Sequence, residues 1–470
     1  MTKGNFKHIH FVGIGGSGIS AVAQIAQKYG YKVTGCDIEG DTAYLAQVKK
    51  EIRSIYIGHS KDHLDDVDLV VVSPSIFFQG DASDEIKVAR KKKILLTWQE
   101  FLGKYLHKGK KVICVAGTHG KSTTAAMVTF VLQSAKRKPS AIIGANVNKW
   151  NQNFLLGDGD LFVTEADEFF DNFLNYSPEA IILNNIEFDH PDYFSSYKQL
   201  IESFKKFVSR LKGKKILIVN QDSEGIKNLM DSLDKKLVSS IELAGYTLSP
   251  SPKLKLKKSF RGEILVKSKS YTTFFVESKY FELKDKFKIN LTGEHNVANS
   301  LGVVVLSKFY GIKIGNLKKT LSTFTGVGRR MQLIGEKMGV KVLDDYAHHP
   351  TAIRETLSAL GQMYPGNRLW AVVEPHSYSR TKSFLKEYKG VFKKADFVII
   401  APIYKARDKK TFGVTGQSIV KILKHKNSIY LDSFAEIVSF LKTRLKKGDV
   451  ILVMGAGKSY QLARLIFASL

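Results

Sequence analysis

The segment from Lys111 to Thr124 constrains this chain more than any other. An apolar, β-branched run, Val112-Ile113-Cys114-Val115-Ala116, meets Gly117-Thr118-His119-Gly120-Lys121-Ser122-Thr123, and a helix is predicted from Ser122 to about Ala135. A strand that turns through glycines into a helix aims successive backbone N–H groups into one concavity, and the helix N-terminus adds partial positive charge. Such a turn holds phosphate. A full P-loop, Gly-x4-Gly-Lys-Ser/Thr, needs a glycine where Val115 stands, so the loop is a compressed form. Its chemistry is intact: the backbone from Gly117 to Thr123 cradles phosphates, Lys121 offsets developing charge, and the Ser122 hydroxyl suits Mg²⁺. The loop therefore points to ATP.

A second Gly-rich loop, Gly13-Ile14-Gly15-Gly16-Ser17-Gly18, lies between a predicted strand at His8–Val12 and a helix over Ile19–Tyr29. Strand Lys32–Cys36 ends at Asp37, the place where an acidic residue meets a ribose hydroxyl in dinucleotide sites. A nicotinamide-dependent dehydrogenase shares this loop, but it leaves the second phosphate loop unexplained. Val67–Ser73 reads as a further buried strand, and the basic connector Lys104–Lys111 as a boundary.

Strands at Asp160–Glu165 and Ala180–Asn184 continue the second unit, and the β-branched, aromatic texture of Glu242–Asn290 suggests an antiparallel insertion or flank. A helix begins near Asn296, and Thr325-Gly326-Val327-Gly328 marks the next boundary. Strands at Val340–Asp344, Leu369–Val373, Phe397–Ile400 and Val450–Met454 then alternate with helical stretches. The expected fold is α/β in three domains. These are an N-terminal Rossmann-like parallel sheet (1–108), a central P-loop-type ATPase α/β domain with a β-rich flank (109–326), and a C-terminal Rossmann-like α/β domain (327–470).

The net charge of +28 raises the possibility of a nucleic-acid-binding NTPase. The charge is mostly lysine, scattered in pairs and triplets, without the arginine and aromatic clusters that nucleic-acid sites favour. No nucleic-acid partner is expected. Two cysteines, Cys36 and Cys114, support no disulfide framework. The N-terminus from Met1 to Lys7 shows no signal peptide, and no run approaches the roughly 18 apolar residues of a membrane span. The expectation is a cytoplasmic protein without a membrane partner.

Glu165-Ala166-Asp167-Glu168 and Asn184-Asn185-Ile186-Glu187-Phe188-Asp189-His190 each follow an apolar strand. Both loops are expected at the carboxyl edge of the sheet that carries the phosphate loop, where ligands bind in such folds. Carboxylate oxygens with an imidazole nitrogen there suit Mg²⁺.

These segments resemble the Mur ligases. The resemblance rests on Gly117–Thr123, Glu165-Ala166-Asp167-Glu168, and Asn185-Ile186-Glu187-Phe188-Asp189-His190-Pro191-Asp192. It extends to Gly293-Glu294-His295-Asn296-Val297-Ala298-Asn299, Gly328-Arg329-Arg330, Asp344-Asp345-Tyr346-Ala347-His348-His349-Pro350-Thr351, Pro375-His376-Ser377-Tyr378-Ser379-Arg380-Thr381 and Gly455-Ala456-Gly457. These motifs run in family order along nearly the whole chain. The resemblance implies an ATP- and Mg²⁺-dependent ligase of cell-wall synthesis, closest to members that join L-alanine to UDP-N-acetylmuramate through an acyl phosphate. It implies a monomer or weak homodimer. The members that return a whole peptide to the same sugar are the alternative.

Residue by residue, the resemblance reassigns Gly13, Gly15, Gly16, Ser17, Gly18, Asp37 and Ser73 to the UDP of the substrate. It gives ATP to Gly117–Thr123, His295, Asn296, Asp345 and Arg329 or Arg330, and the metal to Ser122, Glu165 and His190. Tyr346, His348, His376 and Arg380 form the amino-acid and acyl-phosphate pocket, with Lys121, His190 and Arg380 as the catalytic set. Two departures stand out. Glu374 occupies a place where glutamine is usual in alanine-adding members, and Ser377 one where some carry arginine, which puts more weight on Arg380. Alanine-adding members lack the carbamylated lysine of their sisters, and no such role is expected of Lys205.

Overall fold

A computed structural model describes residues 6–40, 42–78 and 83–470. Met1–Asn5, on which part of the leader reading rests, lies outside the described residues. Three sheets follow one another along the chain.

The first contains β1 (His8–Val12), β2 (Lys32–Asp37), β3 (Ile55–Ile57), β4 (Leu69–Val72) and β5 (Leu95–Thr97) in the order β3-β2-β1-β4-β5, all parallel. All of β1 is buried, as a central strand covered on both faces must be. Because β1 pairs with both β2 and β4, the loops after β1 and β4 part at a crevice over the carboxyl ends.

The second sheet has ten strands: β6 (Lys111–Ala116), β7 (Ser140–Val147), β8 (Gln152–Leu155), β9 (Leu161–Ala166), β10 (Ala180–Leu183), β11 (Ile216–Asn220), β12 (Glu242–Thr247), β13 (Ser259–Lys267), β14 (Thr272–Ser278) and β15 (Leu283–Ile289). Their order is β15-β14-β13-β12-β11-β10-β6-β9-β7-β8. β6 lies between β9 and β10, both parallel to it, so the three loops that carry the acidic segments and the phosphate turn emerge side by side. The β-rich flank is continuous with this sheet. β13 pairs parallel with β12, and only from β14 onward does the pairing become antiparallel, with alternate residues of β14 buried.

The third sheet comprises β16 (Gln332–Lys337), β17 (Val340–Asp345), β18 (Leu369–Val373), β19 (Phe397–Ile400), β20 (Ser428–Tyr430) and β21 (Val450–Met454). The order is β16-β17-β21-β18-β19-β20, with β16 alone antiparallel to its neighbour. The last strand thus sits at the centre, which places Gly455-Ala456-Gly457 beside the loops after β17 and β18.

The connector expected at Lys104–Lys111 is shorter in the structure. Helical backbone runs through Leu106, and Gly103 packs so tightly that a Cβ there would lie 2.0 Å from the Asn175 carbonyl oxygen. One continuous core of buried side chains joins the first sheet to one face of the second, from Phe11 and Phe101 through Tyr176 to Phe207. Among the described residues, no helix is long and apolar enough to cross a membrane.

Candidate active site

The phosphate loop is built as the sequence pattern requires, with the helix Lys121–Ser134 starting directly after it. Gly120 caps that helix at φ 81°, where a side chain is strained. A Cβ there would also meet Asn299 Oδ1 at 2.5 Å and Asn184 Nδ2 at 2.8 Å. Neighbouring side chains brace the turn. The His119 N–H donates to Asn185 Oδ1 at 2.8 Å, Asn184 Nδ2 donates to Thr124 Oγ1 at 3.1 Å, and Thr118 exchanges hydrogen bonds with the Glu187 backbone. Pre-forming the loop this way removes ordering that phosphate binding would otherwise have to drive.

Lys121 Nζ donates to the Gly117 carbonyl at 2.7 Å and to Glu168 Oε2 at 3.0 Å. Burial opposes its charge, but Glu168, Asp167 and Glu165 outweigh burial and raise its pKa, so it stays a cation. Glu165, at the end of β9, accepts the Gly144 N–H. Burial pushes its pKa up, against the pull of that N–H, the Ser122 hydroxyl, Lys121 and Arg330. A half-buried carboxylate beside a hydroxyl at a phosphate loop is a hard-oxygen pair that gains from a divalent cation, so Ser122 and Glu165 fit Mg²⁺.

The expected third ligand, His190, lines the same cavity and has close neighbours of its own. His190 groups with Asp167 and Glu168, stacks on Phe169 at 4.4 Å, and adopts φ 55°. Its Nδ1 faces Arg380 Nη2 at 3.3 Å. A guanidinium only donates, so Nδ1 accepts and the neutral ring carries its proton on Nε2. Coordination through Nε2 therefore requires Arg380 to turn away.

Arg380 is the pivot of the site. It is 6% exposed and crosses from the helix Tyr378–Phe384 of the third sheet's unit to the central loop. Its Nε donates to Asp189 Oδ1 at 2.8 Å and its Nη1 to His376 Nδ1 at 3.2 Å. Burial works against charge on Asp189, yet Arg380 and the surrounding imidazoles hold it well below the usual carboxylate range. His376 and His348 lie 5.7 Å apart, centroid to centroid. Burial, then Arg380, pushes His376 down to about 3 and His348 well below its ordinary value. Both rings are neutral at physiological pH and place no positive charge against an incoming ammonium. Tyr346, half exposed, packs edge-on to His348.

Arg329 and Asp345 line the cavity and make contacts within their own unit. Arg329 Nε donates to Asp344 at 2.9 Å, and its Nη2 donates to the Gly455 carbonyl and to Ser459 Oγ. Both Asp345 oxygens accept backbone N–H groups, from Met331 and Ala347. These two residues brace the loops around β17, while the neighbouring Arg330 exerts its charge on Glu165, Asp345 and His295. Burial, then Arg330, lowers His295 to about 4. Asn296 Nδ2 donates to the Thr292 carbonyl at 2.8 Å.

In the first unit the Asp37 carboxylate folds back on the glycine loop, accepting the Gly15 N–H at 2.8 Å and the Glu39 N–H at 3.1 Å. Gly13 bonds back to the Cys36 carbonyl, and Gly18 lets the helix approach Trp98, whose ring a Cβ would meet at 2.5 Å. Gly16, Ser17 and Ser73 line a recess beside Trp98 and Arg407. All three units wall one cavity of about 1620 Å³, which Ser17 and Tyr44, Lys121 and Glu165, and Tyr346 and Arg380 all line.

Sequence reasoning missed several of these parts. Asp189, Asn184, Asn185 and Asn299 lay inside recognised motifs but were given no individual task. His349, which forms a cluster with His119 and Glu187, was likewise unassigned. Arg407, 4.4 Å over the Phe169 ring and 3.8 Å from Asp192, comes from the loop after β19 and carried no local signal.

Comparison with known proteins places this geometry. Residues 8–109 match the Mur ligase family catalytic domain, 115–307 the Mur ligase middle domain and 329–457 the Mur ligase glutamate ligase domain. A UDP-N-acetylmuramate–L-alanine ligase of Alkaliphilus metalliredigens is 32% identical over 100% of this chain and 98% of its own length. Another, from Agathobacter rectalis, is 34% identical over 97% and 96%. A crystal structure of the alanine ligase of Thermotoga maritima superposes with a TM-score of 0.79 at 25% identity, covering 98% of both chains. A murein peptide ligase of Psychrobacter arcticus gives 0.70 at 25% identity and the same coverage. With relatives this similar along the full length, on the same framework of three sheets closing over one cavity, the chain belongs to the Mur ligase family.

Proposed function

We propose that this chain joins L-alanine to the lactyl carboxylate of UDP-N-acetylmuramate, converting ATP to ADP and phosphate and giving UDP-N-acetylmuramoyl-L-alanine for peptidoglycan synthesis. The observation that carries the reading is Arg380. A buried guanidinium from the third unit lies in the cavity that also contains the phosphate-loop lysine of the second. An amino-acid carboxylate and a transferring phosphoryl group can therefore meet in one space. Full-length relatives carrying the alanine-ligase name support the substrate assignment.

In this reading residues 1–108 hold the UDP moiety, 109–326 hold ATP, and 327–470 bring the amino acid. Gly16, Ser17 and Ser73 face the diphosphate, while Asp37 shapes their loop. The backbone from Gly117 to Thr123 holds the ATP phosphates, and Lys121 exchanges its Gly117 and Glu168 contacts for the γ-phosphoryl oxygens. Ser122 and Glu165, with His190 once Arg380 turns to the amino acid, would hold Mg²⁺, which would supply charge neutralisation to the phosphoryl oxygens. The lactyl carboxylate attacks the γ-phosphorus and forms an acyl phosphate. The alanine ammonium, admitted between the neutral His348 and His376 rings with its carboxylate on Arg380, gives up a proton to solvent. The free amine then attacks the carbonyl, phosphate leaves, and a second proton from the nitrogen of the new bond also passes to solvent. Arg330, with His295 and Asn296, faces the nucleotide. A cytoplasmic enzyme, monomeric or weakly dimeric, fits this chemistry.

The test is phosphate release with ATP and UDP-N-acetylmuramate across a panel of amino acids and short peptides. Release that requires free L-alanine supports the proposal. Release with a peptide and not with alanine supports the recycling activity instead.

A further inference from the structure

A cluster of side chains that ligation does not use meets on one face of the first sheet. Alternation along β1 and β2 turns His8, His10, Thr34 and Cys36 to the same side. His59, His63 and Glu85 approach from the segments that cover it. His10 Nε2 lies 3.1 Å from Glu85 Oε1 and 3.4 Å from Cys36 Sγ. His63 Nδ1 is 3.2 Å from Glu85 Oε1, and Cys36 Sγ is 3.4 Å from Glu85 Oε2. Ligand atoms of His10, Cys36, His63 and Glu85 all lie within 4.8 Å of one another. The His10 and Glu85 side chains have no exposure, whereas His59 and His63 keep 12% and 14% and so leave an access route.

Hydrogen-bond polarity fixes where His10 aims its lone pair. The Asp66 carbonyl can only accept, so His8 Nδ1, 2.9 Å away, carries the proton. In a neutral His8 ring Nε2 then accepts, and the Thr34 hydroxyl at 3.0 Å donates to it. With its single proton so engaged, Thr34 Oγ1 can only accept from His10 Nδ1 at 2.8 Å. A neutral His10 thus presents a bare Nε2 to a carboxylate oxygen and a sulfur. Two facing acceptors at 3.1 Å share a cation, either a proton on His10 Nε2 or a metal ion in its place. Donation of the far ring nitrogen to an oxygen is also how metal-binding imidazoles are held.

We propose that His10, Cys36, His63 and Glu85 form a site for a thiophilic divalent cation of the zinc class, outside the ligase centre. Thiolate, imidazole and carboxylate select such an ion over Mg²⁺ or Ca²⁺. Tetrahedral coordination at about 2.0–2.3 Å sets ligand–ligand edges of about 3.3–3.6 Å. The approaches among His10, Cys36 and Glu85 and that of His63 to Glu85 therefore need only a small adjustment, while the remaining edges of His63 start within 4.8 Å. On binding, the Cys36 S–H bond breaks, its proton leaves to solvent past His59, and a sulfur–metal bond forms. Thiolate and carboxylate then match the two positive charges, and the buried site becomes neutral overall. The ion ties β1 and β2 to the helix Asp84–Lys91, next to the Asp37 that shapes the substrate loop.

The test uses the full-length protein, freed of metal with a chelator, titrated with Co²⁺ as probe in excess Mg²⁺. The expected result is one equivalent of Co²⁺ with a thiolate-to-cobalt charge-transfer band and intense tetrahedral d–d bands, displaced by Zn²⁺. Cys36→Ser should abolish the charge-transfer band, and His63→Ala should weaken binding at least tenfold. Zn²⁺ should also raise the Tm of the unsubstituted protein and not that of Cys36→Ser. No charge-transfer band at stoichiometric Co²⁺ in the unsubstituted protein overturns the proposal. So does a band that survives in Cys36→Ser, because the sulfur would then belong to Cys114.

Discussion

Glu374→Gln isolates the energetics of one buried acid. Glu374 is 3% exposed, and its Oε2 accepts the Ser459 N–H at 2.9 Å at the start of the helix Ser459–Ser469. Burial pushes its pKa from 4.5 up to about 7, against the N–H groups of Ser459 and Lys458 and the charge of Arg329. The folded value exceeds the unfolded one, so the native state holds more protons between those two values. Its contribution to stability is complete below about pH 4.5 and is lost as pH rises through about 7. Each pH unit of difference corresponds to about 1.4 kcal/mol, so the rise is worth at most about 3 kcal/mol. The Glu374→Gln variant keeps an amide oxygen for Ser459 and has no charge to desolvate. Thermal unfolding of both proteins at pH 5 and pH 8.5 gives a Tm difference from which other titrations cancel. That difference is expected to move towards the variant at the higher pH by a few degrees, on the order of 2–4 °C per kcal/mol. A pH-independent difference, or one that moves towards the unsubstituted protein, refutes the reasoning.

Other perturbations address the site directly. Lys121→Ala is expected to lower kcat by about 10²–10³ or more with an unchanged circular dichroism spectrum; near-normal turnover removes the lysine from the mechanism. Gly120→Ala forces a Cβ towards Asn299 and Asn184 at φ 81° and should raise the KM for ATP, with that for alanine little changed. Arg380→Ala leaves Asp189 buried without its cation, at about 3–5 kcal/mol. Its kinetic effect should fall on alanine, so a loss confined to ATP affinity, measured by nucleotide titration, contradicts the assignment. His190→Ala should raise the Mg²⁺ concentration for half-maximal activity, and an unchanged requirement excludes it as a ligand.

What could be read in the sequence was local. The central strands β18, β19 and β21 are continuous apolar runs between turns, β1 and β6 are mostly apolar, and the expected and observed bounds of all five agree. The three-residue strands β3, β5 and β20 have too few positions for any periodicity, and they form because a neighbouring edge offers unpaired backbone groups. The phosphate loop was legible because glycine, lysine and serine are each tied to backbone geometry. Arg329 and Arg330 were not separable, since adjacency in sequence does not say which guanidinium turns towards Asp344. Nor could the sequence show Arg380 meeting Asp189, a contact between residues 191 positions apart that exists only because two units close on each other. His10 lay in a strand read purely as a packing element and the Glu85 segment carried no assignment, so their approach shows only once the chain covers that face.

The central claim is that the sugar's carboxylate is activated by phosphorylation. UDP-N-acetylmuramate carrying ¹⁸O in both lactyl carboxylate oxygens, turned over with ATP and L-alanine, tests it by mass spectrometry of the released phosphate. The expected result is one ¹⁸O in each phosphate and the other in the new amide carbonyl. Phosphate free of label while the amide forms, with the expelled heavy oxygen in water instead, contradicts the account.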